Sequence, residues 1–542
     1  MRITAALLFL LASGLTPLRA QAVNHDGFTA GEPSLEDKIS QLLMISVDAG
    51  ELAKATAAAA AGIGGVQIQW GSYSLEDTRR LTAELRKSVL RSGSKLPLFI
   101  ATDYEGGSVY APTTLGLCEL PTNMMLGAAD SENDTASLFY LAGRELKRAG
   151  INMTFGPVLD VNTSAQNPII GIRAVGGDPA LVSKIGGAII NGFKTAGILA
   201  APKHFPGHGA ATEDSHKRLP VINLSTAALE EQHLPPFKRA IELKAPVIMT
   251  AHIRYPALDP KNPATLSKTV IVDLLKKELG FNGLVITDSM DMKAITSVRP
   301  IHKAAALALA AGADLVLLGK GDFRKARDEI AAQVRKGVIT ETRVNDAYYR
   351  VIEAKKEAGL FEAGTFPSPF DKAYVNIAEA LSEKAVTLLR DRRAFLPLKN
   401  KELKTAVIIF APPRFYENAL ALYKTLAAGG YSVEQSVFEI NPNAAAVSKA
   451  LSIAQKADRL IIGSFQWAGA QNRNQKKAIK ALLAAGKPAI LISLMNPYDL
   501  TNYPEADAAI AIYGMTVPGM TAVGGLLAGE IQAQGKLPVE LK

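Results

Sequence analysis

Charged and imidazole side chains recur at one kind of place in this chain, directly after a short apolar run. Asp103 follows 98–102, Asp160 follows 152–159, Lys203-His204 closes 199–203, His252 follows 247–251 and Asp288 follows 284–287. Carboxylates and imidazoles donate protons, accept them and attack electrophiles, while a lysine fixes an anionic or hydroxylated partner. One carboxylate in such a position is explained as a cap or an ion-pair partner. Five such ends converging on one rim point to a site.

The densest cluster is Lys203-His204-Phe205-Pro206-Gly207-His208-Gly209 with Asp214-Ser215-His216, which holds three of the seven histidines. A metal site is disfavoured here. Pro206, Gly207 and Gly209 keep His204 and His208 off a common helical face, and no carboxylate stands at a familiar ligand spacing. In another reading, Asp214 accepts from one ring nitrogen of His216, fixing its tautomer and leaving the other nitrogen for proton transfer. Two solvated loop residues fit the same spacing. Asp288 closes the strongly apolar Val285-Ile286-Thr287, so its carboxylate is aimed at whatever occupies the mouth beyond the strand, and Asp291 is expected to cap the next helix. A carboxylate nucleophile with a proton donor across the bond is the equipment for double-displacement glycoside hydrolysis.

These residues need a scaffold that brings strand ends together. From 34 to 361, β-branched apolar runs at 42–47, 63–68, 98–102, 152–159, 199–203, 247–251, 284–287 and 315–318 alternate with helical stretches such as 75–91, 136–149 and 179–195. That alternation predicts an α/β fold, a (β/α)8 TIM-type barrel. A linker is expected at 362–372, where Gly364, Pro367 and Pro369 fall, and a smaller α/β sandwich domain over 373–542. Five strands are expected there, at 406–410, 432–438, 460–464, 489–494 and 508–512, with helices at 444–456 and 474–485.

A chain of 542 residues, 48% hydrophobic and 20% charged, buries a large core and is neither disordered nor fibrous. Its single cysteine, Cys118, excludes a disulfide framework and any cysteine-based zinc or iron–sulfur centre. The net charge of +9 is scattered rather than gathered into a basic segment with interleaved aromatics, so a nucleic-acid partner is not expected. Met1-Arg2, an apolar run over 3–15 and Ala20-Gln21-Ala22 follow the order of a secretory signal over 1–22. The run is short for a membrane span, so an exported chain without stable membrane insertion after cleavage is expected, periplasmic or extracellular.

The Lys203–Gly209 segment with Asp214-Ser215-His216, Thr287-Asp288 with Met290 and Met292, Asp103 with Glu105-Gly106-Gly107, and Phe155-Gly156-Pro157-Val158-Leu159-Asp160 together resemble glycoside hydrolase family 3, in its β-N-acetylhexosaminidase branch. A weaker resemblance continues through Asn496-Pro497-Tyr498-Asp499-Leu500 and Gly535-Lys536-Leu537-Pro538-Val539. It implies a retaining exo-enzyme, without cofactor or metal, that removes terminal β-linked N-acetylglucosamine, in bacteria often from peptidoglycan fragments. Asp288 is then the nucleophile, His216 the general acid and base, Asp214 its orienting partner, and Asp103, Arg173, Lys203 and His204 contacts to the terminal sugar. On residue chemistry alone Arg173 reads equally as a surface cation.

One departure bears on specificity. The family usually places two arginines after the double glycine, whereas Ser108 and Ala111 stand there in this chain. A related exo-β-glycosidase such as a β-glucosidase, and a glycoside phosphorylase, are the alternatives this leaves open. A non-catalytic carbohydrate-binding scaffold is a third, but it has no chemical need for Asp288, Asp214 and His216 together.

Overall fold

The computed structural model describes residues 33–48, 50–69, 73–93, 96–107, 116–362, 372–392 and 394–541. The expected signal over 1–22, most of the expected linker, and Ser108 and Ala111 lie outside the described residues.

Eight strands build the first domain: β1 Leu43–Val47, β2 Gly65–Ile68, β3 Phe99–Thr102, β4 Met153–Thr154, β5 Leu199–Ala200, β6 Val247–Thr250, β7 Leu284–Thr287 and β8 Val316–Leu317. Every pairing is parallel, in the order β5-β4-β3-β2-β1-β8 with β6 beside β7. Single parallel bridges, Phe205 to Thr250 and Ile286 to Leu315, connect the end of β5 to β6 and β7 to β8 and close the barrel. All eight strands are buried along their length. Helices cover their outer faces and side chains fill the interior, which is why such strands read as unbroken apolar runs.

β4 and β5 are shorter than the runs at 152–159 and 199–203 suggest. Pro157 and Pro202 have no N–H to give to a ladder, so these chains separate and meet again only at the Val158–Lys203 bridge. The loosened chain carries Asp160 and His204 at the rim. Between strands, the helix Leu75–Arg91 opens with a capping box between Ser74 and Asp77 and buries Leu81, Leu85 and Val89 at helical spacing. The helix Pro179–Thr195 opens on proline after the Asp178 cap, as its sequence predicts. The helix expected at 136–149 begins earlier, at Glu132, because Glu132 and Asp134 suit a helix's positive first turn.

The second domain is one sheet in the order β11-β10-β12-β13-β14-β9, built from β9 Thr387–Asp391, β10 Thr405–Phe410, β11 Val433–Phe438, β12 Arg459–Ser464, β13 Ala489–Ser493 and β14 Ala508–Ala511. Its five expected strands are parallel. β9, absent from the sequence expectation, pairs antiparallel with β14 at the edge. The helix Ala373–Ala385 buries Tyr374, Ala378 and Leu381 with the barrel core and Ala385 with the sandwich core, so it forms the joint between them. Met124, Met125 and Ile172 of the barrel reach into the second core in turn. Thr122 Oγ1 donates to Tyr513 O at 2.7 Å and Gly469 N to Asn167 O at 2.9 Å, which holds the sandwich against the barrel.

Candidate active site

β3, β5 and the turn Gly171–Arg173 bring four charges together at the carboxyl ends of the strands. Lys203 Nζ donates to Asp103 Oδ1 at 2.7 Å and lies 2.6 Å from Glu105 Oε1. The Arg173 guanidinium grips Glu105 with two parallel bonds, Nε to Oε2 at 2.7 Å and Nη2 to Oε1 at 2.8 Å. Gln67, from β2, donates to the second oxygen of Asp103 at 2.8 Å. Burial alone would raise the Glu105 carboxyl, but Arg173 and Lys203 outweigh it and hold the group well below the usual carboxylate range. Burial alone would lower the pKa of Lys203, but Asp103 and Glu105 outweigh it and keep the amine charged. Asp103 is 31% exposed at its side chain while Glu105 is 1% exposed, so Asp103 stands accessible at the rim and Glu105 serves as the internal counter-ion.

The structure therefore places Asp103, Lys203 and Arg173 in one network, with Arg173 buried rather than a surface cation. Glu105 is its centre, a role not assigned from sequence. Gln67 was missed too; the signal for it is a polar residue pointing from an otherwise apolar strand.

Asp160, fully buried, organises the next part of the rim. Its Oδ2 accepts from His204 Nδ1 at 2.7 Å, and its Oδ1 accepts the backbone N–H groups of His204 at 3.2 Å and His208 at 2.6 Å. Burial would raise this carboxyl, but the two histidines hold it down. With Nδ1 fixed on Asp160, His204 has only Nε2 to offer a ligand. His208 turns the other way, Nε2 toward Ser215 Oγ at 3.2 Å, and burial together with nearby His204 lowers its pKa to about 4, so it is neutral at working pH.

Past His208 the chain carries Asp214 and His216. Asp214 Oδ1 accepts both the backbone N–H of His216 at 2.9 Å and its ring Nδ1–H at 3.0 Å, which leaves Nε2 free. Burial would raise Asp214, but these bonds from His216 lower it, so the carboxylate is an anionic partner for the ring. The His216 side chain is 51% exposed, and its loop is anchored by Ala294 N donating to Ser215 O at 3.2 Å. That bond brings the His216 loop against the segment leaving β7. Gly209 seats the start of this loop: a Cβ there would fall 1.7 Å from Val161 O. Gly209→Ala is expected to cost about 1–3 kcal/mol of stability through this backbone clash. Thermal unfolding checks it, and an unchanged midpoint would show that the loop has room to move.

Asp288 follows β7 directly. Its Oδ1 accepts Ser289 N–H at 2.7 Å, and its own N–H reaches Thr250 O at 3.3 Å. Burial would raise the carboxyl, but the fields of His252, His204 and Lys203 and the Ser289 bond lower it, so Asp288 is ionised at neutral pH. The pKa of His252 is lowered by desolvation; its Nε2 donates to Ser289 O at 3.0 Å, fixing the carbonyl of the residue after Asp288. Asp291 does not cap the following helix. It accepts from Ser289 Oγ at 2.8 Å and Lys320 N at 2.9 Å, tying the β7 loop to the β8 loop, because the helix starts later, after Met292.

An ionised carboxylate on one strand end, a separate Asp–His pair and a preorganised charged cradle are what acid-assisted displacement at a sugar carbon requires. Comparisons with known proteins point to the same class. Residues 34–354 match the glycosyl hydrolase family 3 N-terminal domain and 386–542 its C-terminal domain. The chain belongs to glycoside hydrolase family 3 and is a glycoside hydrolase. It is 29% identical to beta-hexosaminidase A of Pseudoalteromonas piscicida over 85% of this chain and 86% of that one. It is 26% identical to a beta-N-acetylglucosaminidase/beta-glucosidase of Cellulomonas fimi over 87% of this chain and 88% of the relative. A solved family 3 beta-N-acetylglucosaminidase from Paenibacillus sp. superposes with a TM-score of 0.85 at 31% identity, covering 94% of this chain and 99% of that one.

Proposed function

We propose that the protein is an exported, retaining exo-β-N-acetylglucosaminidase that releases terminal β-linked N-acetylglucosamine, with cell-wall fragments as its substrates. The observation that carries this reading is the pairing of an ionised Asp288 with a separate Asp214–His216 couple whose loop docks beside the β7 exit. The Paenibacillus and Pseudoalteromonas relatives support the sugar, and the order of residues over 1–22 supports export.

In the first step the Asp288 carboxylate attacks the anomeric carbon while His216 Nε2–H protonates the departing oxygen. A glycosyl ester forms on Asp288 and the glycosidic C–O bond breaks. In the second step His216, now neutral, takes a proton from water, which attacks the anomeric carbon and releases Asp288. Asp214 keeps Nδ1 as a donor in both steps, so that Nε2 alone exchanges the proton. Asp103, Lys203, Arg173 and His204 hold the terminal sugar through charged, multiply bonding groups.

His216→Ala is the test of the proton role. It is expected to lower kcat/KM on alkyl or sugar leaving groups by about 10²–10⁴-fold and on strongly activated aryl glycosides far less. Equal loss on both would assign the proton transfer elsewhere. Initial rates on aryl β-N-acetylglucosaminide beside aryl β-glucoside, with and without phosphate, test the sugar and the acceptor. A second reading, β-glucoside turnover, is favoured by Ser108 and Ala111 in place of the usual arginines and by the dual name of the Cellulomonas relative. Faster turnover of the glucoside would select it, and phosphate-dependent turnover would make the enzyme a phosphorylase.

A further inference from the structure

One buried asparagine joins the turn just after it to the 208–209 segment, far away in sequence, and through its backbone carbonyl to Gly469 of the second domain. Asn167 is 1% exposed and uses all four hydrogen-bonding positions of its side chain. Oδ1 accepts the backbone N–H groups of Ile169 at 3.0 Å and Ile170 at 2.8 Å. Nδ2 donates to His208 O at 2.9 Å and Gly209 O at 3.2 Å. Two N–H groups on one end and two carbonyls on the other fix which end is oxygen and which is nitrogen. The Asn167 carbonyl meanwhile accepts Gly469 N–H from the second domain at 2.9 Å.

The side-chain bonds at both ends lead to functional groups. Ile169 O accepts from Arg173 Nη1 at 3.2 Å, so the acceptor end of Asn167 shapes the turn that aims Arg173 at Glu105. The donor end holds His208, whose ring meets Ser215 Oγ at 3.2 Å, and Ser215 stands between Asp214 and His216. Asn167 touches none of the groups assigned to bond making or breaking. It lies at the root of the His216 loop, whose free end is half-exposed and held beyond Ser215 by the bond from Ala294.

We propose that Asn167 is a positioning residue that holds the His216 loop in register with the sugar-binding turn, and so sets the efficiency of proton transfer to the leaving group. This inference rests on the role given to His216 above. A donor and an acceptor at the two ends of one short side chain are both required. Aspartate keeps the acceptor end but loses both donors and sets an oxygen against two carbonyl oxygens. Glutamine has the right groups on a longer stem.

The experiment compares Asn167→Asp and Asn167→Ser with wild type and His216→Ala. Serine keeps a hydroxyl acceptor for the turn without adding charge, so the pair covers the case in which the aspartate variant fails to fold. Substrates are an alkyl β-N-acetylglucosaminide, whose leaving group needs a proton, and a dinitrophenyl one, whose leaving group does not. Both Asn167 variants are expected to lose about 10–100-fold in kcat on the alkyl glycoside, the size of a catalytic group displaced by about an ångström, and no more than about 3-fold on the aryl one, with KM little changed. The alkaline limb of the alkyl pH profile shifts as well. A purely structural role would lower both substrates in parallel with the folded fraction, and that result overturns the inference. If His216→Ala shows the substrate split and the Asn167 variants do not, the inference alone fails. If His216→Ala shows no split, the proton role of His216 fails and the inference falls with it.

Discussion

Asp288→Asn is expected to lower kcat on aryl β-N-acetylglucosaminide by about 10⁴-fold or more, while the protein melts within a few degrees of wild type. Asparagine keeps the shape that meets Ser289 N–H but is a far poorer nucleophile and cannot form the glycosyl ester. The positive charge nearby is not orphaned by the change, since Lys203 remains paired with Asp103 and Glu105. Chemistry and stability therefore separate in this variant. In the wild type, the fields of His252, His204 and Lys203 overcome burial to lower the Asp288 pKa, so the acid limb of kcat/KM belonging to Asp288 lies below the usual aspartate value of about 3.9. Steady-state kinetics on verified full-length variant, with intact-mass measurement of the quenched enzyme, decides the matter. A loss of less than tenfold would remove Asp288 from the nucleophile's role. A glycosyl adduct on His216→Ala that is missing from Asp288→Asn would place the ester on Asp288.

What could be read in advance follows a physical boundary. Parallel barrel strands are covered on both faces, so β6 (Val247–Thr250) and β7 (Leu284–Thr287) stand out as apolar runs, and the polar residue after each run marks the rim. Asp103, Asp160, Lys203, His204, His252 and Asp288 were visible for that reason. β9 was not, because an antiparallel edge strand buried mainly at Thr387 carries no such run. Pairings across the fold were also hidden. Glu105 meets Arg173 68 positions away, Gln67 meets Asp103 36 away, and Asn167 meets His208 41 away. No local periodicity records these meetings, since closure of the barrel creates them. The Asp214–His216 pair is the contrary case: its two members are two residues apart, and the bond between them is a property of one short loop.

Glu105→Gln is expected to cost about 3 kcal/mol of unfolding free energy at neutral pH and to raise KM for the sugar. The carboxylate is buried and accepts from both the Arg173 fork and Lys203, so an amide in its place leaves those cations short of their counter-ion and turns two N–H donors toward other donors. The cost depends on pH in a definite sense. Because the folded pKa of Glu105 lies far below its unfolded value of about 4.3, the native state binds the proton less readily, and its advantage is fully present above that value. As pH falls through and below about 4, the unfolded wild-type chain takes up the proton first and the advantage drains away. Urea unfolding of the two proteins from pH 7 to pH 3 should therefore show a gap that is level down to about pH 5 and then narrows. A gap that stays constant to pH 3 would mean that the Glu105 carboxyl titrates alike in the folded and unfolded chains, so that Arg173 and Lys203 do not hold it down. The consequence for the enzyme follows from the same geometry. Glu105 gives the Arg173 guanidinium and the Lys203 amine a buried anion to pair with, and with Asp103 it keeps Lys203 charged, so the proposed sugar cradle is ordered before any ligand arrives, and losing that order is expected to appear in KM as well as in stability.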